Sequence, residues 1–129
     1  QGMIDANLTS LFTICHAVVP EMAVRNKGKV ITIGGPAGLE PRIGAGNIAY
    51  SVAKAGVINF SQALAHEVWH QSVQVNCIVP SAIVPTEEAE SAEGVTPDEL
   101  VKTIHQLLSS ESDHVSGAVI RAYGRKAFS

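Results

Sequence analysis

A chain of 129 residues, 46% hydrophobic and 16% charged, has the size and composition of one folded domain, which excludes a disordered tail. Its net charge of −3, with basic residues scattered apart from Arg121, Arg125 and Lys126 near the end, gives no electrostatic footprint for nucleic acid or an anionic membrane. No stretch approaches the ~18 apolar residues that span a bilayer, and no basic region leads into an apolar run at the start as in a signal peptide.

The chain opens Gln1-Gly2-Met3 and enters a helical pattern at once, so an upstream portion of a larger fold is expected to be absent. Ile4, Leu8, Leu11, Cys15, Val18 and Met22 recur at steps of three and four, which predicts an amphipathic helix over residues 3–25. Pro20 falls near its end, where it does least harm, and Asn26-Lys27-Gly28 supplies the stop. Lys29 to Gly34 follows as a short strand, then a Gly/Pro-rich loop from Gly34 to Gly46.

A long helix is predicted from Asn47, its expected cap, to His70. Its many small residues (Ala49, Ala53, Ala55, Gly56, Ala63, Ala65) predict close approach of a second helix. Val73 to Val79 is the next strand, broken by Pro80, and Pro85 to Gly94 reads as a polar loop. Thr96 caps a helix that starts at Pro97 and reaches Leu108, with Asp98 and Glu99 suited to its dipole. Ala118 to Tyr123 is the last strand.

Helix and strand therefore alternate through residues 1–129. That order predicts a doubly wound α/β fold, with parallel strands joined by right-handed helical crossovers. A sheet of so few strands leaves an edge bare. Cys15 and Cys77 fall inside apolar segments with no CxxC pair, as expected of reduced core thiols in a cytoplasmic protein.

The chemistry sits at the start of the long helix. Tyr50 and Lys54 are four residues apart, so on a helix they share a face about 6 Å apart along the axis. A fixed ammonium favours the charged form of a neighbouring phenol, which suits the phenol to give or take a proton. Alone, such a pair is as readily an ordinary surface pair. Here it follows a strand and a Gly-rich loop, the place where open α/β sheets bind ligands.

The run Ile33-Gly34-Gly35-Pro36-Ala37-Gly38 with Tyr50-Ser51-Val52-Ala53-Lys54-Ala55 resembles the "ISSxxG … YxxSK" signature of the short-chain dehydrogenase/reductase family. Asn7-Leu8 resembles the family's catalytic asparagine, Val75-Asn76-Cys77-Ile78-Val79-Pro80-Ser81 its "VNxIxPG" strand end, and Ser116-Gly117-Ala118-Val119-Ile120 its closing "TGxxI" strand. These matches are collinear over essentially the whole chain, which resembles 3-oxoacyl reductase-like members of the family.

The resemblance implies the C-terminal portion of a Rossmann-like domain, without the N-terminal dinucleotide-binding half. It implies NAD or NADP as cofactor and a small carbonyl or alcohol as substrate. Tyr50 would be the general acid/base, Lys54 its activator and a ligand of the nicotinamide ribose, and Asn7 the holder of a relay water. Pro80, Ser81 and Ile83 would line the nicotinamide, and Thr86 would reach its amide or the phosphates. No metal is expected. The helices over 3–25 and 47–70 would pair with a second copy as a four-helix bundle.

Gly35 stands where the family has a serine whose hydroxyl polarises the carbonyl, and Thr32 is a poor substitute because strand alternation points it away from Gly35. Ser81 replaces a glycine, and Thr86 lies one residue later than usual. These departures leave an inactive fragment or dimerisation module as the alternative. A third reading comes from His66-Glu67-Val68-Trp69-His70, a literal H-E-x-x-H. On one helix it would offer two imidazoles to zinc, with Glu67 to activate water, as in a metallopeptidase.

Overall fold

The computed structural model describes residues 5–40 and 48–125; of Asp5 and Asn7 only the backbone is described. The expected cap Asn47 and the first apolar position of the opening helix, Ile4, lie outside the described residues.

The opening element begins as a π-helical turn, Asp5–Thr9, and continues as α1, Ser10–Arg25. The apolar stripe faces the core, but its fifth position is Val19 (6% exposed) and not Val18 (38%). Spacing of 8, 11, 15, 19 and 22 keeps to one face of a 3.6-residue helix, whereas 18 lies a step off it. Asn26 ends α1 in the left-handed region, at φ 53°, and its N–H donates back into the last turn.

Three strands follow: β1 (Gly28–Ile33), β2 (Val73–Pro80) and β3 (Val119–Ala122). They form a parallel sheet in the order β1-β2-β3, with Ile33 opposite Ile78 and Pro80 opposite Ala122. Pro80 therefore closes β2 from within, a place where its missing N–H is tolerated. Between β1 and β2 lies α2, Ile48–Val68, which gives way to a 3₁₀ turn at Trp69–Gln71 two residues before the expected end. Between β2 and β3 lies α3, Pro97–Leu108.

Helices α1 and α2 share one face of the sheet. Val73, Val75, Cys77 and Val79 point to that side and pack with Cys15, Val19, Val57, Ile58, Ala65 and Val68. Thr32 hydrogen-bonds Ser61 of α2 there. Both cysteines are buried and free. The alternate residues Lys29 and Gln74 point to the other face, where Lys29 pairs at 2.8 Å with Asp113 just beyond α3, and where α3 contacts β1. Since β3 continues past β2 in the same direction, the β2–α3–β3 crossover has the opposite hand to β1–α2–β2. This departs from the expectation of right-handed connections throughout. The long segment from Ser81 to Thr96 makes it feasible by carrying the chain across the carboxyl end of the sheet before α3 begins.

The N-terminus of α3 forms a capping box. The Glu99 N–H donates to Thr96 Oγ1 at 3.2 Å, and the Thr96 N–H donates to Glu99 Oε1 at 3.0 Å. The Thr96 N–H holds the Glu99 carboxyl below the usual carboxylate value, with the Thr96 hydroxyl and Arg125 adding to it against partial desolvation. A carboxylate depressed on folding stabilises the fold above its unfolded pKa, about 4.3, and that contribution is lost as pH falls through the folded value. Melting temperature should thus fall more steeply on acidification for the native chain than for Glu99→Gln. Parallel curves between pH 6 and 3 would refute this.

Asn76 does the work of a missing backbone partner at the start of β3. Its Nδ2 donates to Val115 O at 3.1 Å, and its Oδ1 accepts from the Ala118 N–H at 3.0 Å. Ser116 Oγ accepts from the Val75 N–H beside it at 3.0 Å. Asn76→Ala leaves both backbone groups unpaired in a part-buried place, a cost of about 1–3 kcal/mol. Urea unfolding should register it as a lowered midpoint at constant slope.

Candidate active site

The site is built outward from the end of β1. Gly34 extends the ladder by one bond, its N–H donating to Ile78 O at 2.8 Å. A Cβ on it would lie 3.2 Å from both Cys77 Sγ and Ile58 Cγ1, so a bare backbone fits tightly over the core. Gly35 is extended (φ −150°, ψ 156°) and starts a 3₁₀ turn, Pro36–Gly38, closed by the Gly38 N–H donating to Gly35 O at 2.9 Å.

Gly38 then lies flat against α2. A Cβ there would sit 2.6 Å from the Lys54 carbonyl carbon and 2.7 Å from the Ala55 nitrogen and the Lys54 oxygen. Contacts that short are reserved for glycine, because helix backbone has no rotamer through which to yield. The turn after β1 is thereby seated on the backbone of Lys54 itself.

This seating brings the predicted pair to Gly35. A Cβ on Gly35 would lie 3.3 Å from Tyr50 Oη and 3.2 and 3.3 Å from Lys54 Cδ and Cγ. Lys54 Nζ stands 5.6 Å from the centre of the Tyr50 ring. Both side chains are half-buried at the helix start, so they reach the carboxyl end of the sheet. Strand register, continued from Ile33–Ile78, brings Gly35 level with Pro80. Tyr50 and Lys54 lie against Gly35, with Pro80 level with it on the next strand, so the mouth is at the carboxyl end of the sheet, the position of ligand sites in open α/β sheets.

The other expected site residues are placed less uniformly. Asn7 lies in the π-helical turn before α1, a local irregularity often found at functional sites. Ser81 turns its hydroxyl away to the end of β3, donating to Tyr123 O at 3.0 Å. Ile83 is exposed just past β2, and Thr86 is exposed at the head of a 3₁₀ turn, Thr86–Glu88. Thr32 is buried on Ser61, which explains why it offers nothing to the mouth.

The H-E-x-x-H segment is not one continuous α-helix. His66 lies on α2 but His70 lies in the 3₁₀ turn after it, and His66 and Glu67 front different grooves. Among the described residues, no group of three His, Cys, Asp or Glu side chains is placed to hold a metal ion. No helix among them is long and apolar enough to cross a membrane.

Sequence reasoning missed the part played by Gly38. The signal was present, as the third glycine of the loop motif, but its contact lies across a segment that spacing cannot bridge. It also missed the small-residue division of labour on α2. Ala53 and Ala65 are buried and Gly56 receives Leu8, whereas Ala49, Ala55 and Ala63 remain exposed.

A short chain dehydrogenase family model matches residues 1–94. The chain is 33% identical to a 3-oxoacyl-[acyl-carrier-protein] reductase of Chlamydia muridarum, over 98% of this chain and 56% of that protein. It is 30% identical to a cyclohexanol dehydrogenase of Rhodococcus sp., over 98% of this chain and 53% of that protein. A crystal structure of a Burkholderia thailandensis oxidoreductase of the short chain dehydrogenase/reductase family superposes with a TM-score of 0.80 at 25% identity, covering 94% of this chain and 53% of that one. The chain thus spans about half the length of the relatives it matches. With the family model over most of its length, the chain belongs to the short-chain dehydrogenase family of oxidoreductases.

Proposed function

We propose that this chain supplies the proton-transfer half of an NAD(P)-dependent oxidoreductase that interconverts a ketone and a secondary alcohol. The observation that carries the reading is the convergence of Tyr50 Oη and the Lys54 side chain on the backbone of Gly35. A bound dinucleotide would supply the hydride. Tyr50 gives its proton to the carbonyl oxygen in reduction and takes it back in oxidation. Lys54, beside the Tyr50 ring, would hold the ribose, while Asn7 would carry the water that resupplies the proton.

The residues at the mouth fit such a cofactor in part. Gly35, without a side chain, lets Lys54 and Tyr50 Oη close on its backbone, Pro80 ends the neighbouring strand, and Ile83 beyond it is an exposed apolar side chain. Thr86 remains the candidate for the cofactor amide or phosphates. Ser81 has both its donors engaged, the hydroxyl by Tyr123 O and the N–H by Ala122 O. The adenosine end belongs to the preceding half of the family fold.

The relatives' names, a 3-oxoacyl reductase and a cyclohexanol dehydrogenase, favour a small carbonyl or alcohol substrate. The test is oxidation of NADH or NADPH by a ketone panel. The chain is assayed joined to the part of the Chlamydia muridarum reductase that it does not cover. Turnover abolished by Tyr50→Phe supports the reading. No turnover, by a folded protein, supports the alternative that Gly35 favours, a non-catalytic dimerisation module.

Gly35→Ser separates these further. The extended backbone at Gly35 accepts any residue, and the nearest atoms belong to the flexible Lys54 chain and the Tyr50 hydroxyl. A hydroxyl placed there adds a donor for the carbonyl oxygen. Removing such a donor typically costs ~10²–10³ in rate, and a gain of about tenfold in kcat is expected after the neighbours adjust. A fall in kcat would count against this geometry.

The second copy expected of these helices has a groove to fill. Between α1 and α2, Phe12 meets Phe60 edge-to-face at 4.6 Å, and Leu64, Ala63 and Glu67 complete its wall. Pairing of this groove with its copy is expected to double the solution mass, and Phe12→Glu is expected to return it to the monomer value in sedimentation.

A further inference from the structure

The segment between β2 and α3 closes on itself at one neck just past the sheet. The Val84 N–H donates to Val95 O and the Val95 N–H to Ala82 O, each at 2.9 Å, and Ile83 bridges Val95 in parallel. Beyond the neck, Pro85 to Glu93 folds on itself, with the Glu88 N–H donating to Pro85 O and the Ala92 N–H to Glu88 O, both at 2.9 Å. This is a compact loop with closed ends, a form often used for function.

The end of the described chain is built into that neck. Gly124 has φ +89°, and a Cβ on it would overlap the Gly94 carbonyl; a Cβ on Gly94 would in turn lie 2.5 Å from Ala82 O. Gly124, Gly94 and the Ala82 carbonyl are therefore stacked backbone on backbone, and Ser81 Oγ ties a further point to Tyr123 O. The next residue, Arg125, reaches two ways. Its Nη1 lies 3.2 Å from Glu90 Oε1 at the loop tip, and its Nε lies 3.2 Å from Glu99 Oε2 in the α3 cap.

We propose that Arg125 is a positioning residue that latches the Pro85–Glu93 loop, holding its tip through Glu90 to the cap of α3 through Glu99. A guanidinium presents donors on separate edges and can serve both carboxylates at once, whereas an ammonium is a point charge. Arg125 and Glu90 are both largely exposed (side chains 59% and 83%), so the latch biases the loop without fixing it shut. Loops that admit ligands belong to this low-stability end of a structure. The consequence for catalysis rests on the reading given above, that the carboxyl end of the sheet holds dinucleotide and substrate.

Hydrogen exchange on this chain tests the latch without any turnover. Amides of Glu88, Ala89, Ser91 and Ala92 should exchange about two- to five-fold faster in Arg125→Ala and in Glu90→Gln, the factor an exposed ion pair is worth. Amides of α2 and β2 should not change, and Arg125→Lys should fall between. In ~1 M salt, where charges are screened within about 3 Å, native chain and variants should coincide. Unchanged loop exchange in Arg125→Ala overturns the proposal, and so does a difference that survives high salt, since that would mean packing by the arginine stem. In the joined enzyme, Arg125→Ala should raise KM two- to five-fold at constant kcat; an unchanged KM removes the positioning role. Absence of all turnover would refute the catalytic reading while the exchange result still decided the latch.

Discussion

Replacing Tyr50 by phenylalanine is expected to lower carbonyl reduction by about 10²–10⁴-fold, the usual worth of a positioned general acid. The substitution removes one oxygen and leaves the ring, so the ring's place beside Lys54 is kept. At a half-buried helix position away from the packed core, such a change is expected to alter stability by about 0.5 kcal/mol or less. In the proposed mechanism the proton would be given in the transition state and not in the ground-state complex, so kcat and kcat/KM should fall together while KM stays near its starting value. Stopped-flow or steady-state oxidation of the reduced cofactor measures this. A rate within a factor of a few of the native one would remove Tyr50 from the chemistry, and with it the reason to place Lys54 there.

Gly38→Ala is the variant expected to cost the fold most. Its added carbon would come within 2.6–2.7 Å of three backbone atoms of Lys54 and Ala55. A flexible side chain in that place could rotate aside, as the Lys54 chain can for a residue at position 35, but the helix backbone cannot. Either the turn lifts from α2 or α2 slides, at about 1–3 kcal/mol by analogy with other overpacked cores. For a domain of this size that is a loss of roughly 5–20 °C in melting temperature. The displacement falls on the residue that carries the site's cation, so activity should drop further than the loss of folded protein explains. Thermal unfolding by circular dichroism, with activity corrected for the folded fraction, separates the two effects. An alanine variant of native stability would mean that the turn and helix lie farther apart than described.

How much of this was legible in the sequence follows from the range over which each signal acts. Spacing of Leu8, Leu11, Cys15 and Met22 showed α1 and its buried side, because helical periodicity is local. It placed Val18 in the stripe and missed Val19, since adjacent residues differ by only a third of a turn and the sheet chooses between them. Thr96-Pro97-Asp98-Glu99 showed the start of α3, as a capping box is written within four residues. The H-E-x-x-H spacing misled for the same reason in reverse. Its geometry requires a helix through His70, and the helix stops at Val68, where the chain turns toward β2.

The sequence by itself determined the alternation of helices and parallel strands, the Tyr50–Lys54 pair on one helix face and the glycine turn ahead of it. All of these are set by residues within a few turns of one another. Only the tertiary structure decided that Gly38 rests on the Lys54 backbone, that Asn76 staples β3 to β2, that α3 crosses to the other face, and that Arg125 spans Glu90 and Glu99. Those contacts join residues from 16 to 42 positions apart, and which of them form depends on how packed surfaces meet after the elements exist. Local propensity carries no information about that meeting, because it is decided by excluded volume and by the pairing of buried polar groups across the sheet.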